Sequence, residues 1–393
     1  MSGAERVIYM DNNATTMVAP EVLEVMLPYF SKLYGNPSSM HTFGGQVGKA
    51  LRHAREQVAA IINADVEEII FTSCGTESDS TAILSALQSQ SGKRHIVTTR
   101  VEHPAVKNLC RSLDSLTGHK HRVTELPVES DGTIDLRRYE DSLTDETAIV
   151  SVMWANNETG VIFPIAEMAE IAKSRGILFH TDAVQAVGKI PIDMAKVPVD
   201  FLSISGHKLH APKGIGVLYV RKRTPFMPFL IGGHQEHGRR GGTENVASVI
   251  GLGKACELAR RHINKENTTV KALRDKLENG LLAKIPNSLL NGHKTERLPN
   301  TCNVSFEYVE GEAILLHMDR YGICASSGSA CTSGSLEPSH VLRAMGVPFT
   351  AAHGSIRFSL SVYNTEDEVD FVLEKMPGII ANLREMSPFW QNR

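Results

Sequence analysis

The sequence predicts an α/β fold, a doubly wound and mainly parallel sheet of seven strands followed by a smaller α+β domain. Seven short runs of β-branched and apolar residues alternate with amphipathic helices between about residues 66 and 221. The runs are apolar on both faces, which is typical of parallel strands buried beneath helices on each side. The predicted strands are 67–73, 95–100, 121–128, 148–155, 176–182, 199–205 and 214–220.

The rest of the chain divides around this repeating pattern. Helical patterns lie before the first strand, near 20–33 and 44–63, and after the last one, near 244–263 and 267–284. From about residue 287, strand patterns at 301–309, 322–326 and 355–361 mix with helical patterns at 311–319 and 366–385. We predict a large domain at 16–262 and a small domain at 263–393, with residues 1–15 packing on the small one. The small domain also carries a loop at 325–338.

Composition excludes several classes of function. The chain has 393 residues, 42% hydrophobic and 22% charged, and a formal net charge of −3, so nothing predicts a nucleic-acid partner. No apolar run approaches the ~20 residues of a membrane helix, and the first residues lack a signal-peptide pattern. We therefore expect a cytoplasmic protein. Its six cysteines form no C-x-x-C pair, so we expect no dedicated metal site.

Three predicted strand ends carry polar residues where α/β sheets bind ligands. Asp182 ends one strand, with Gln185 three residues later; Ser205-Gly206-His207-Lys208 follows the next strand. A third strand leads to Cys74-Gly75-Thr76 at the start of a helix. Each feature alone is also explained as an ordinary polar cap or turn.

Together these residues suit a cofactor that has an aldehyde, a pyridine nitrogen and a phosphate. Lys208 lies in a glycine-containing turn where an amine could form a Schiff base, and Asp182 would pair with the ring nitrogen. The helix start at Gly75-Thr76 offers backbone N–H groups to a phosphate, and Ser205 and His207 could add donors. A nucleotide site is the main rival, but the chain contains neither a G-x-x-x-x-G-K-[ST] nor a G-x-G-x-x-G pattern.

Several long segments, in the expected order, resemble the cysteine desulfurases of the class-V aminotransferase family. They include FTSCGTES, VEHPAV, NNETG, HTDAVQAVGK and SGHKLHAPKGIG, and the likeness runs through nearly the whole chain. The resemblance implies the aspartate aminotransferase-like fold (fold type I) and pyridoxal 5'-phosphate as cofactor. Within the family, SVMWANNETG and GEAILLHMDR look most like the nitrogen-fixation (NifS-type) branch.

The resemblance also implies roles for single residues. Lys208 would bind the cofactor covalently, Asp182 would pair with the pyridine nitrogen, and Gln185 would hydrogen-bond the ring hydroxyl. His103 would stack on the ring and assist proton transfer. The remaining implied residues are the phosphate cradle of Gly75, Thr76, Ser205 and His207, and Asn157 and Asn13 at the cofactor and substrate.

A homodimer is implied in the same way. In the family, the residue that matches Thr243 reaches the phosphate in the neighbouring subunit's site. From the residues alone, the surrounding segment GGHQEHGRRGGTEN is equally well explained as a solvated basic turn or a polyanion patch.

Two further residues are ambiguous from their surroundings. Cys331 lies among small and hydroxyl residues, as in an exposed loop, so its thiol is accessible but need have no role. Arg357 interrupts a strand-like apolar segment and should have a carboxylate partner, either internal or on a substrate. The resemblance implies that Cys331 receives the substrate sulfur as a persulfide and that Arg357 pairs with the substrate α-carboxylate.

The function predicted is an L-cysteine desulfurase that forms L-alanine and a persulfide on Cys331. The sulfur would pass to an iron–sulfur scaffold protein for nitrogenase maturation, and Cys331 could bind a cluster only transiently. Alternatives are another enzyme of the same fold, such as a selenocysteine lyase or an aminotransferase. Outside enzymes, the alternative is an iron–sulfur scaffold or sulfur carrier, which would need neither Lys208 nor Asp182.

Overall fold

The computed structural model describes residues 7–90, 92–116, 121–327, 338–388 and 390. Cys331 and most of the loop around it lie outside these residues. The strands, in chain order, are β1 Ile8–Tyr9, β2 Ile69–Thr72, β3 His95–Thr99, β4 Arg122–Leu126, β5 Thr147–Ser151, β6 Leu178–Asp182, β7 Phe201–Ser205, β8 Gly216–Val220, β9 Ser288–Leu290, β10 Thr301–Phe306, β11 Ile323–Cys324, β12 Ser326–Ser327 and β13 Ser355–Ser359.

The helices surround the sheets and connect their strands. They are α1 Pro20–Met26, α2 Pro28–Ser31, α3 Thr42–Ile61, α4 Gly75–Ser89, α5 Pro104–Leu116, α6 Leu136–Ser142, α7 Ile165–Ser174, α8 Val246–Lys265, α9 Lys271–Lys284, α10 Gly311–Asp319, α11 His340–Ala344, α12 Phe349–Ala352 and α13 Glu366–Met386. A π-helix, Glu266–Val270, joins α8 to α9. Within the part of the chain described, no helix has the length and apolar character needed to cross a membrane.

The predicted seven-stranded, mainly parallel sheet is confirmed. Its strand order is β2-β8-β7-β6-β5-β3-β4. Strands β3 to β7 run parallel to their neighbours, whereas β8 pairs antiparallel with both β7 and β2 at one edge. Apart from the edge strand β4, which is only partly buried, these strands are almost entirely buried, which explains why their sequences are apolar on both faces.

The C-terminal part forms a second, antiparallel sheet with the strand order β12-β13-β10-β9. The N-terminal strand β1 pairs with β11 from this part, and Ile8 and Met10 join the apolar core formed mainly by residues 270–383. The division at 16–262 and 263–393 stays a prediction. The predicted loop 325–338 begins too early, because Ser326 and Ser327 already pair with β13 as strand β12.

The parallel strands bring the candidate residues together. Asp182 is the last residue of β6 and Ser205 is the last of β7, and the two strands lie side by side. The 3-10 turn Gly206–Lys208 follows β7 directly, and α4 begins at Gly75 after β2. The ends of these strands therefore meet at one edge of the sheet.

The close crossing of α3 and α8 predicts an asymmetry between two glycines. A Cβ at Gly253 of α8 would lie 2.7 Å from the Cα of Ala54 in α3, whereas one at Gly378 of α13 would meet nothing within 4 Å. We expect Gly253→Ala to lower the free energy of unfolding by about 1–3 kcal/mol through overpacking. Gly378→Ala should instead raise it by up to about 1 kcal/mol. Chemical denaturation would measure both changes, and equal effects would contradict this account of the helix contact.

Candidate active site

A cavity of about 410 Å³ opens where these strands end. With two exceptions, every residue that the sequence singled out lines this cavity. Those residues are Asn13, Gly75, Thr76, His103, Asn157, Asp182, Gln185, Ser205, His207, Lys208 and Arg357. The exceptions are Thr243, which lines a separate cavity of about 220 Å³, and Cys331, which lies outside the described residues.

Lys208 is held against the N-terminal segment of the chain. Its Nζ donates to the carbonyl oxygens of Asn13, at 2.6 Å, and Ala14, at 2.5 Å. Burial, followed by the positive charges of Lys189 and Arg357, lowers the pKa of Lys208 to about 7. A lysine in these surroundings can supply a neutral amine near neutral pH, as a nucleophile or a base requires.

Asn13 was the one residue of the segment from Asp11 to Thr16 that the sequence interpretation placed at the site, and the rest of this segment was missed. The Thr16 N–H donates to the carbonyl of His207 at 2.9 Å, and the Thr15 hydroxyl lies 3.1 Å from His207 Nδ1. Nearly 200 residues separate these partners along the chain, so periodicity could not pair them. The concentration of short polar side chains in DNNATT was the available signal.

Asp182 is a buried carboxylate, and its Oδ1 accepts a hydrogen bond from the backbone N–H of Val184 at 2.9 Å. Burial and the nearby Asp79 raise the pKa of Asp182 to about 6. A cation, such as a protonated ring nitrogen, would be stabilised beside this group.

Two more buried acids lie close to Asp182 and were not singled out from the sequence. Burial raises the pKa of Asp79 to about 7 and that of Glu102 to about 8. Glu102 accepts hydrogen bonds from the Thr99 hydroxyl and from the backbone N–H of Met153, at 2.7 and 3.1 Å. The pKa of Asp182 is the lowest of the three, so Asp182 is the acid of this group that ionises most readily near neutral pH.

The N-terminus of α4 forms an anion cradle at the other end of the cavity. The helix has 15 residues, and Cys74 caps it without a side-chain hydrogen bond, so the first-turn N–H groups are open to a ligand. A Cβ at Gly75 would lie 3.1 Å from Val184 Cγ2 and 3.5 Å from Ser205 Cβ. The small residue keeps this end of the helix close to the strand ends.

Gln185 is fixed by two hydrogen bonds. Its Nε2 donates to the Asn13 carbonyl at 3.1 Å, and its Oε1 accepts from Lys189 Nζ at 3.0 Å. Lys189 is buried and was not singled out from the sequence. A lysine inside the apolar run AVGKIPI, four residues after Gln185, was the available signal.

Arg357 has the internal carboxylate partner that one of the two interpretations required. Its Nη2 lies 2.8 Å from Asp11 Oδ1, and its Nη1 donates to the carbonyl of Asn157 at 3.1 Å. Its Nε is buried and has no hydrogen-bond partner among the described residues. Arg357 nevertheless lines the cavity, so an additional anion in the cavity can also reach its guanidinium group.

These surroundings fit pyridoxal phosphate. The cavity has the size of a small-molecule site. It places an anion cradle, a buried carboxylate without a cation partner, a fixed amide and an amine with a lowered pKa around one space. Those groups complement, in order, a phosphate, a pyridine nitrogen, a phenolic oxygen and an aldehyde. In the described part of the chain, no group of three or more His, Cys, Asp or Glu side chains could hold a metal ion.

Comparison with known proteins gives one consistent result. Residues 8–372 match the family model described as aminotransferase class-V. A cysteine desulfurase of Nostoc sp. is 62% identical over 98% of this chain and 95% of its own length. The cysteine desulfurase NifS of Azotobacter vinelandii is 59% identical over the same shares of the two chains. A solved structure described as SspA in complex with cysteine is 34% identical, covers 91% of this chain and 99% of its own, and superposes with a TM-score of 0.79.

The matches span almost the entire chain, and the fold agrees with that of the pyridoxal-phosphate enzymes of fold type I. The protein is a pyridoxal-phosphate enzyme. It belongs to the class-V aminotransferase family, among the cysteine desulfurases.

Proposed function

We propose that the protein converts L-cysteine to L-alanine and retains the sulfur as a persulfide on Cys331. The observation that carries this proposal is the placement of the Lys208 amine, with its lowered pKa, in one cavity with Asp182 and Arg357. The names of the relatives support the choice of reaction, and the cysteine complex of a structural neighbour supports the choice of substrate.

Asp182, Lys208 and His103 have different roles in removing the α-proton of the substrate. Bound pyridoxal phosphate supplies a ring that withdraws electrons from the α-carbon of the substrate. Asp182, ionised at the floor of the cavity, stabilises positive charge on the ring nitrogen. Lys208, as a neutral amine, takes the α-proton and can return a proton to the product. His103 lies in the same cavity, and burial lowers its pKa, so its imidazole is neutral and suited to stacking on the ring.

The substrate carboxylate would bind at the opposite end from the anion cradle. Arg357 and Asn157 are already joined by a hydrogen bond, and Asn13 hydrogen-bonds the carbonyl of Asn157 at 3.1 Å. The side chains of Arg357 and Asn13 therefore meet at the backbone carbonyl of Asn157 at the wall of the cavity. Asp11 offsets the charge of Arg357 before the substrate arrives.

Cys331 is assigned from the sequence, and the described residues on either side of it support the assignment. Ser326 lines the cavity, and Ser339 donates to Glu158, the residue after Asn157, at 2.5 Å. The segment that carries Cys331 therefore leaves and rejoins the described structure beside the cavity. In the proposed step, the Cys331 thiolate bonds to the substrate sulfur while the carbon–sulfur bond breaks. The electron pair stays on carbon, which is protonated to give alanine.

The destination of the sulfur and the assembly state are also part of the proposal. An iron–sulfur scaffold for nitrogenase maturation is the proposed acceptor, supported by the 59% identity to NifS. A homodimer, in which Thr243 contributes to the neighbouring subunit's site, would cover exposed apolar side chains such as Phe30, Tyr34, Phe229 and Ile231. The proposed cytoplasmic location would keep the Cys331 thiol reduced.

Two substitutions separate cofactor binding from sulfur transfer. Lys208→Ala should abolish both the visible absorbance of the lysine-bound cofactor and alanine formation, because no other amine replaces Lys208. Cys331→Ala should keep that absorbance but lose sulfide release from L-cysteine by at least about 100-fold. Absorption spectra and assays of alanine and sulfide would measure these effects. Full activity of the Cys331→Ala variant would favour a lyase or aminotransferase reaction without a persulfide, and a colourless wild-type protein would favour a scaffold or carrier.

The pKa values of the site predict an acidic limb in the pH profile. Lys208 must be neutral to take a proton, and its pKa of about 7 means that this form is lost as the pH falls below about 7. Asp182 must be ionised, and its pKa of about 6 adds a second loss below about 6. We expect kcat for L-cysteine to fall by up to about tenfold between pH 7 and pH 6, and more steeply below pH 6, where Asp182 also gains a proton. A rate unchanged between pH 8 and pH 6 would contradict the role of Lys208, while His53→Gln, at an exposed residue, should leave the profile unaltered.

Arg357→Gln should raise KM for L-cysteine. Loss of a charge-assisted hydrogen bond costs about 1.5–3 kcal/mol, which corresponds to roughly a 10- to 150-fold change. The visible absorbance of the bound cofactor should remain, because Arg357 is not part of the ring or phosphate contacts. Arg320→Gln, at an exposed residue, is the matched control. If Arg357→Gln lowers only the stability of the protein and leaves KM unchanged, then Arg357 forms a structural ion pair with Asp11 and does not bind the substrate.

A further inference from the structure

Lys189 is a buried cation that the proposed reaction does not use. It follows the Asp182–Gln185 turn and is only 6% exposed. Its Nζ donates to Gln185 Oε1 at 3.0 Å. A buried ammonium group is costly unless it is hydrogen-bonded or paired, so its place behind the cofactor site needs a physical reason.

Lys189, Lys208 and Glu266 of the π-helix line a small cavity of about 30 Å³. That volume suits one or two waters among polar groups. Glu266 is buried, and its Oε2 has no hydrogen-bond partner among the described residues. The next residue, Asn267, donates from Nδ2 to the Lys189 carbonyl at 2.9 Å and so holds the lysine backbone in place. The π-helix thus presents a compensating carboxylate to Lys189.

The hydrogen bonds to Lys189 and to the Asn13 carbonyl together set which way the Gln185 amide points. An ammonium group has only donors, so the Gln185 atom that faces it must be the oxygen. The NH2 group is therefore turned to the other side, where one N–H is bound to the Asn13 carbonyl. The second N–H is left for an acceptor in the cavity, such as a phenolic oxygen.

Lys189 also acts on Lys208 through charge. After burial itself, Lys189 is the largest cause of the lowered pKa of Lys208. Burial lowers the pKa of Lys189 to about 8, and Glu266 opposes that shift. The other charges facing the two lysines are those of Arg357, Asp11 and Asp182, and the titratable imidazoles of His103, His207 and His210 also face them.

We propose that Lys189 is a positioning residue, whose ammonium group orients the Gln185 amide and keeps the Lys208 nitrogen beside a second, fixed positive charge. Glu266 holds that charge in place from the π-helix. The inference rests on the proposed function, because it assigns Lys189 to the same cofactor site.

The test is a pH titration of the visible absorption of the holoenzyme, which reports the proton held at the Lys208 nitrogen. Lys189→Met removes the positive charge and the N–H donor to Gln185. We expect the titration midpoint to rise by about one pH unit, since a neighbouring positive charge has been lost. The dissociation constant of the cofactor should rise about three- to tenfold, because the Gln185 amide loses one of the two hydrogen bonds that fix it.

Three variants make the result specific. Lys196→Met removes an exposed lysine from the same stretch of chain and should leave both quantities at their wild-type values. Lys189→Arg keeps the charge and the donors and should bring the midpoint back towards wild type, which a purely structural role would not predict. Lys189→Gln is neutral but polar and replaces the Met variant if that variant does not fold.

A midpoint that stays within about 0.2 pH units of wild type in the folded neutral variant, against the expected shift of about one unit, would overturn the inference and leave the proposed function standing. The inference also fails, with the proposed function intact, if Lys196→Met shifts the midpoint as much as Lys189→Met does. A wild-type protein without a Lys208-dependent absorption band would instead overturn the proposed function, and the inference with it.

Discussion

The site depends on one crossing of the chain, the polar segment from Asp11 to Thr16. The backbone N–H groups of Asn12 and Asn13 donate to Ser359 in the small antiparallel sheet, at 3.1 and 2.9 Å. The carbonyl of Asn13 accepts from both Lys208 and Gln185 of the large sheet. The segment thereby fixes the spacing between Arg357 on one sheet and Lys208 on the other. A substrate whose carboxylate is bound by Arg357 while Lys208 removes its α-proton requires a fixed spacing between these two side chains.

The charges of the site are arranged in two zones. One zone contains the buried acids Asp182 and Asp79, which line the cavity, and Glu102, which is buried close to them. The other zone contains Lys208 and Arg357, which also line the cavity, and Lys189, which is buried close to Lys208. Burial penalises ionisation in both zones, so it raises the pKa values of the acids and lowers those of the lysines, that of Lys208 further than that of Lys189. One acid that ionises readily and one amine that is readily neutral follow from this arrangement without a direct ion pair between them.

Residues whose roles follow from their place at a strand end could be predicted from the sequence. Asp182, Ser205 and Lys208 lie at the ends of adjacent parallel strands, and strand periodicity is a local signal. Asp11 and Lys189 could not be predicted in this way. Asp11 meets Arg357 across 346 residues of chain, and the apolar residues around Lys189 indicate a buried lysine without identifying its partners. The sequence required a carboxylate partner for Arg357, but only the three-dimensional structure identifies it.

The thiol that acts as the nucleophile must be both ionisable and within reach of the substrate sulfur. Burial raises the pKa of both Cys110 and Cys256 to about 12, and it raises that of Cys302 as well, so these thiols stay protonated and unreactive. Among the described cysteines, Cys74 lines the cavity, but it is the N-cap of α4, whose open N–H groups suit the cofactor phosphate, whereas Ser326 is paired directly with Arg357. A nucleophile for the substrate sulfur must approach from the side of Arg357 and Ser326. The chain leaves the described structure towards Cys331 on that side, which is why the loop cysteine, rather than Cys74, is the proposed sulfur acceptor.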